Sequence, residues 1–438
     1  MDPLILGLLA AVTLVFLLLI GMPVAFALGF TAIIFLLIQD GVGAFDVVAD
    51  TLFGTLDEFA LLSIPMFLLM GSAIAASRAG SDLYEALDRW LYRVPGGLLI
   101  SNIGACGLFA ALTGSSPATC AAIGKMGIPE MRQRGYPASL ATGAIAAGGT
   151  LGILIPPSIT MIVYGIATET SIGRLFMAGL IPGVMLMLLF MGWSWLYAYR
   201  KGYRFTEEGK YFSLRDKLVI LPKILPFMGI IVVVLWALYG GVATPSEASG
   251  VGAMACILLV MVIYRVWRPS HLWEIVAGAT RESVMLMMII GMAGLFSYMM
   301  SSLYITQGIA EWIAGMDVSR WLLLFYVNLF LLVAGFFLPP VAVILMTAPT
   351  IVPIIIQAGF DPIWFGVILT LNMEIGLITP PVGLNLYVIN GIVKDVDLKT
   401  VLWGALPFML CLVLGIFLLA LFPGIVTWLP DYLMGEVR

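Results

Sequence analysis

The chain has 438 residues, 62% of them hydrophobic and 11% charged, with a mean hydropathy of +1.09. A soluble globular chain carries about 25% charged residues, so this composition excludes a water-soluble enzyme or binding domain and requires many membrane spans. The net charge of −4 decides little, because in a membrane protein the placement of charge sets the topology.

Residues 4–20 form the first predicted span. No Lys or Arg precedes it and no small-residue cleavage pattern follows, so it is expected to be retained rather than removed as a signal peptide. The chain turns at Gly21-Met22 into a second span, 23–38. The stretch with Asp40, Asp46, Asp50, Asp57 and Glu58 contains no Lys or Arg and belongs outside. Span 59–77 returns inward, completing scaffold spans over 4–77. Residues 81–93 place Leu83, Leu87, Trp90 and Leu91 on one face and should lie flat at the inner surface.

A hairpin over 97–131, a broken helix over 137–168 and a span over 174–199 complete a first unit, 1–200. A basic linker follows at 201–224. With Arg200 it holds Lys201, Arg204, Lys210, Arg215, Lys217 and Lys223, and it is placed inside. Arg78, Arg89, Arg93, Arg132 and Arg134 fall on the same side, as do Arg265, Arg268 and Arg281. The second unit, 225–421, runs through scaffold spans at 225–239, 247–264 and 283–300, then an outer loop at 311–317. A hairpin at 321–357, a broken helix at 362–392, a span at 400–421 and an outer tail at 422–438 complete it. The expected fold is an all-α polytopic membrane protein of two inverted-topology repeats. Each repeat carries a re-entrant hairpin and a broken transmembrane helix, and both termini lie outside.

The breaks are near-copies: Gly152-Ile153-Leu154-Ile155-Pro156-Pro157 and Gly376-Leu377-Ile378-Thr379-Pro380-Pro381. Proline lacks an N–H and disrupts a helix, so each Pro-Pro is expected to interrupt its span. The hairpin tips are Thr113-Gly114-Ser115-Ser116-Pro117 and Leu338-Pro339-Pro340. The separations Pro117 to Pro157 and Pro340 to Pro381 differ by one residue. Broken helices at corresponding places in two halves point to a secondary transporter's binding site.

A break frees carbonyls on its first half-helix and N–H groups on its second. Carbonyls are hard ligands for a dehydrated sodium ion, and N–H ends suit a carboxylate. Thr113, Ser115 and Ser116 with the carbonyls of Gly152 and Ile155 are candidates for one ion site. Phe337 and Leu338 carbonyls with Gly376 and Thr379 are candidates for a second. The half-helix starts at Ala118, Ser158, Val341 and Val382, with Asn385 as a side-chain donor, are candidates to hold an anion between them. Glu374 is the strongest ionisable candidate, open to a structural hydrogen bond or a ligand role. Cys106, Cys120, Cys256 and Cys411 lie in apolar runs as structural thiols, and His271 sits at a span end among Arg265, Arg268 and Trp273. A metalloenzyme would need more ligands than these, and no organic cofactor or nucleic-acid partner is expected.

On these segments, with Gly114-Ser115-Ser116-Pro117-Ala118-Thr119 and the run from Asn372 to Asn385, the chain resembles the large membrane subunit (DctM-like) of a tripartite ATP-independent periplasmic (TRAP) transporter. The resemblance covers essentially the whole chain. It implies an elevator mechanism in the bacterial inner membrane, driven by sodium. A periplasmic (P-type) binding protein would deliver an organic acid, of which C4-dicarboxylates are the commonest guess. A separate four-span (Q-type) subunit would complete the scaffold. It also implies sodium ligation at Gly152, Ile155 and Pro157 with the Ser115-Ser116 tip, and at Gly376, Thr379 and Val382. Many relatives have a more polar second tip than Leu338-Pro339-Pro340. The rivals are a self-sufficient sodium/carboxylate symporter, a membrane-embedded enzyme and a channel.

Overall fold

The structure is a computed structural model describing residues 2–202, 212–315 and 318–435. Arg204 and Lys210 of the basic linker, Asp317 of the outer loop and the end of the tail at 436–438 lie outside the described residues. Every regular element among the described residues is a helix. Eight are long and apolar enough to cross a membrane, from 18 to 34 residues. The chain is a multi-pass membrane protein.

Several segments read as loops are helical. Ala44–Leu56 continues the second span through a short 3-10 turn and lays Leu52 and Thr55 over Gly291 and Gly294. Ile305–Ala314 runs into the acidic stretch that begins at Glu311 and packs its first residue on Gly7. The linker contains Leu214–Val219, opened by a Ser213–Asp216 capping box. The tail contains Gly424–Met434. The span at 283–300 belongs to a longer helix, Pro269–Ser302, with His271 in its first turn. At 34 residues it runs about 51 Å, well beyond a bilayer core of about 30 Å, so its polar start stands clear of the core.

Phe59–Ala75 and Ala79–Leu91 bend by 65° at their junction. Three contacts fix this arm. Asp82 accepts from Lys223 Nζ at 3.3 Å and from Tyr264 Oη at 2.8 Å. Asp88 accepts from Arg134 at 3.3 Å, joining the arm to the first hairpin.

Inside lipid, helices associate through close packing rather than by escaping water, which favours small residues at crossings. Ala138–Thr150 is rich in them and lies on Leu398–Leu421. A Cβ built on Gly143 would fall 2.0 Å from the Gly404 carbonyl carbon, and one on Gly404 would fall 1.7 Å from Ser139 O. No side chain fits at this crossing.

Candidate functional site

Both breaks form where the Pro-Pro pairs stand. The first span runs as Ala138–Thr150, tightens through Leu151–Ile153, and resumes as Ile159–Ala167. The second runs as Pro362–Leu377 and resumes as Leu384–Ile392. Pro156-Pro157 and Pro380-Pro381 are both cis. The half-helices have 13 and 9 residues in the first span and 16 and 9 in the second, so each alone falls short of a bilayer core of about 30 Å.

Both hairpins form too, as Gly97–Thr113 with Ser116–Gln133 and Arg320–Phe337 with Pro340–Gln357. The first tip reverses through Gly114, whose φ of +59° suits a residue without a side chain. A Cβ there would fall 2.6 Å from Pro157 O, and one on Gly152 would fall 2.9 Å from Ser115 O. The first tip therefore seats directly on the first break. In the second half, a Cβ on Gly376 would fall 2.5 Å from Gly335 O, and Val382 N donates to Phe336 O at 3.1 Å.

Oxygen-rich side chains converge at the first tip. Thr113 Oγ1 lies 3.0 Å from Thr119 Oγ1, and Thr119 Oγ1 donates to Ser115 O at 2.9 Å. Asn385 reaches this tip from the other half. Its Nδ2 donates to Ser116 Oγ at 2.8 Å and to Ala146 O at 2.9 Å, while Ser116 Oγ donates to Asn385 Oδ1 at 3.1 Å. Thr113, Ser115, Ser116, Gly152, Pro157 and Asn385 are thus one assembly. Ile155 N donates to Leu151 O at 3.0 Å within the break, and its side chain packs under Gly183.

The second break is leaner. Thr379 Oγ1 donates to Ile375 O at 2.6 Å. The break bonds to the hairpin at Phe336 O, and the neighbouring Phe337 is 50% exposed. Leu338 caps the hairpin arm in extended backbone. Ser158 caps its own half-helix, accepting from Met161 N at 3.2 Å and donating to Ile153 O. Val341 is buried as the second residue of its helix. The second resumed helix begins at Leu384 rather than Val382, because Gly383 takes a left-handed turn first and Val382 N is bound to the hairpin. Glu374 is fully buried.

A cavity of about 670 Å³ opens beside the first tip, against the scaffold helix Ser63–Ala75. Thr113, Ser115 and Ala118 line it from the hairpin. Arg78, Lys125 and Lys223 face Asp82, Glu85 and Glu282 around its wall. Its size is that of a small-ligand pocket. Sequence reading passed over Lys125, though a lone cation in a small-residue hairpin arm was the available signal. It also passed over Thr119, which stands in the quoted motif. Asn372 opens the quoted run to Asn385, but its bond to Asn328 at 2.5 Å carried no signal because the pairing crosses two elements.

The chain matches the family model of the tripartite ATP-independent periplasmic transporter, DctM component, over residues 11–425. It is 40% identical to the C4-dicarboxylate TRAP transporter large permease protein DctM of Pseudomonas aeruginosa, over 88% of this chain and 89% of that protein. It is 33% identical to the isethionate TRAP transporter permease protein DctMQ of Oleidesulfovibrio alaskensis, over 91% of this chain and 62% of that longer protein. The solved YdaH transporter of Alcanivorax borkumensis shares the fold, with a TM-score of 0.65 over 90% of each chain at 14% identity. The family is one of transporter permeases, not enzymes. By this match over nearly its whole length, the chain belongs to the DctM-component family of tripartite ATP-independent periplasmic transporters.

Proposed function

We propose that this chain is the transporting subunit of a sodium-coupled importer of an organic acid, working by an elevator motion in the bacterial inner membrane. The observation that carries the reading is the seating of the first hairpin tip on the first break, Ser115 against Gly152 and Gly114 against Pro157. It concentrates carbonyl and hydroxyl oxygens at depth, where irregular backbone is tolerated only against protein or a wet cavity. One sodium site draws on Thr113, Ser115, Ser116, Gly152, Ile155 and Pro157. The other draws on Phe337, Leu338, Gly376, Thr379 and Val382. The substrate lies between them, near Ala118, Ser158, Val341 and Asn385. The cavity beside the first tip is the inner vestibule, and its Arg78, Lys125 and Lys223 draw in an anion.

Two inverted repeats support alternating access. Their support here is the repeated order of hairpin, broken helix and long span in each half. The basic segments face the cytoplasm and both termini the periplasm. The relatives' named substrates, a C4-dicarboxylate and isethionate, are both organic anions, and a C4-dicarboxylate is the first to try. A periplasmic binding protein delivers it, and a small membrane subunit completes the scaffold.

Sodium-gradient uptake by Thr379→Ala and Ser116→Ala tests the site. Each loses one ligand or its support, so half-saturating sodium should rise roughly 5- to 30-fold, with expression retained. An unchanged sodium response in both would remove the assignment.

A further inference from the structure

The linker helix Leu214–Val219 lies against the interfacial helix Ala79–Leu91. Arg89 ties the two together: Nη1 donates to Asp216 O at 2.7 Å, and the guanidinium stands 5.7 Å from the Phe212 ring centroid. Phe212 meets the Tyr92 ring edge-on at 5.4 Å. Lys217 Nζ lies 5.5 Å from the Trp90 ring centroid and 5.2 Å from that of Tyr92. Arg93 stands 5.5 Å from the same Tyr92 ring, and its Nε donates to Tyr92 Oη at 2.8 Å. Two cations thus share one aromatic ring.

The acids of both helices are engaged elsewhere. Asp82 accepts from Lys223 and Tyr264, Glu85 pairs with Arg89, and Asp88 pairs with Arg134. Asp216 turns its carboxylate to Ser213, accepting from N and from Oγ at 2.8 Å each. Among the described residues, neither Lys217 nor Arg93 has a carboxylate partner. The C-terminal end of Ala79–Leu91 offers only about half a negative charge against these two positive ones. The ring faces attract both cations through their quadrupoles, yet give no oxygen to the three N–H donors of Lys217 or to the Nη groups of Arg93.

The patch also has an apolar side. Trp90, Leu214, Leu218 and Val219 are exposed beside these cations. Tryptophan and tyrosine rings settle at the headgroup level, and basic side chains lay their stems on apolar surface while keeping the charge at the polar edge. Donors without an acceptor, set beside exposed apolar side chains, match a surface that meets phosphates on one side and acyl chains on the other.

We propose that Lys217 and Arg93, with Trp90 and Tyr92, form a binding site for the headgroup of an anionic phospholipid. Its phosphate oxygens accept from Lys217 Nζ and from the Nη groups of Arg93, and its acyl chains run past Leu214, Leu218 and Val219. A free anion would use the cations alone and leave the apolar side uncovered. A bound headgroup fastens the linker between the two halves of the chain to the interfacial helix. The site depends neither on the sodium reading nor on the side of the membrane that the basic segments face.

Native mass spectrometry tests this on the detergent-purified complex with its small membrane subunit, titrated with phosphatidylglycerol or phosphatidylcholine. The wild type should retain at least one more phosphatidylglycerol than phosphatidylcholine. Lys217→Gln or Arg93→Gln should weaken that lipid roughly 5-fold, and the two together about 30-fold. Lys217→Arg should keep it. Arg268→Gln, which removes a charge from the other basic segment, should leave it unchanged. In thermal unfolding, which also shows that each variant is folded, phosphatidylglycerol should raise the Tm of the wild type more than that of the double variant. Equal retention of the two lipids by the wild type, or full retention of phosphatidylglycerol by the double variant, overturns the proposal. Displacement of phosphatidylglycerol by inorganic phosphate at equal concentration would mark a free-anion site and overturn the lipid assignment.

Discussion

Asn385 and Ser116 hold each other from opposite halves of the chain: Asn385 Nδ2 donates to Ser116 Oγ at 2.8 Å, and Ser116 Oγ donates back to Asn385 Oδ1 at 3.1 Å. Asn385 also donates to Ala146 O, in the first half-helix of the first break. The start of the second resumed helix is thereby pinned to the first hairpin and the first break. In this conformation the two breaks are tied to one another through Asn385.

Removing this amide should be costly. Asn385→Ala strands Ser116 Oγ in a buried site, which costs about 1–3 kcal/mol, and removes one donor from Ala146 O, which keeps Cys120 Sγ at 3.7 Å. The Asn385→Ala, Ser116→Ala double mutant should destabilise by less than the sum of the singles, measured by thermal unfolding in detergent. Additivity to within about 0.5 kcal/mol would mean the pair is not coupled.

The seating of tips on breaks predicts a steric result. Gly152→Ala drives a methyl into Ser115, and Gly376→Ala drives one into Gly335 O. Both neighbours are backbone and cannot yield cheaply, so each variant should lose most of its transport. Gly250→Ala meets nothing within 4 Å and serves as the control, keeping transport near wild type. Retained uptake in Gly152→Ala would show that tip and break are not in contact during the cycle.

Much of the fold was legible because its signals are local. Pro156-Pro157 and Pro380-Pro381 interrupt a helix wherever they fall, and apolar length marks a span without neighbours. The misses have equally physical causes. Ala44–Leu56 carries Asp46 and Asp50, and an acidic stretch without basic residues reads as a loop, whereas the segment is an amphipathic helix with Phe45 and Phe53 exposed. At the site, Gly114 was legible as part of a hairpin tip and Gly152 and Gly376 as the starts of the breaks, while their close approach to Pro157, Ser115 and Gly335 was not. The Ser116–Asn385 pairing was not, since nothing in either segment names a partner 269 residues away.

The loops add a pH-dependent contact. Arg132 clamps Asp395 with two hydrogen bonds, 3.1 and 2.7 Å, joining the first hairpin to the loop after the second broken helix. The Arg132 hydrogen bond, aided by its charge, holds the Asp395 carboxyl below its ordinary value. A lowered carboxyl contributes above its unfolded value, about 3.9, and loses that contribution as pH falls through the folded one. The stability difference between wild type and Asp395→Asn should thus be small, constant at neutral pH, and vanish in strong acid. Melting curves across pH check this. A difference that instead grows in acid would contradict the clamp.

The most direct test is uptake into proteoliposomes. The chain is reconstituted with its small membrane subunit, and labelled C4-dicarboxylate is supplied with or without an inward sodium gradient and with or without the periplasmic binding protein. The account predicts accumulation only when both the gradient and the binding protein are present. Accumulation without the binding protein would mark a self-sufficient symporter, and accumulation indifferent to sodium would contradict the role given to the two breaks.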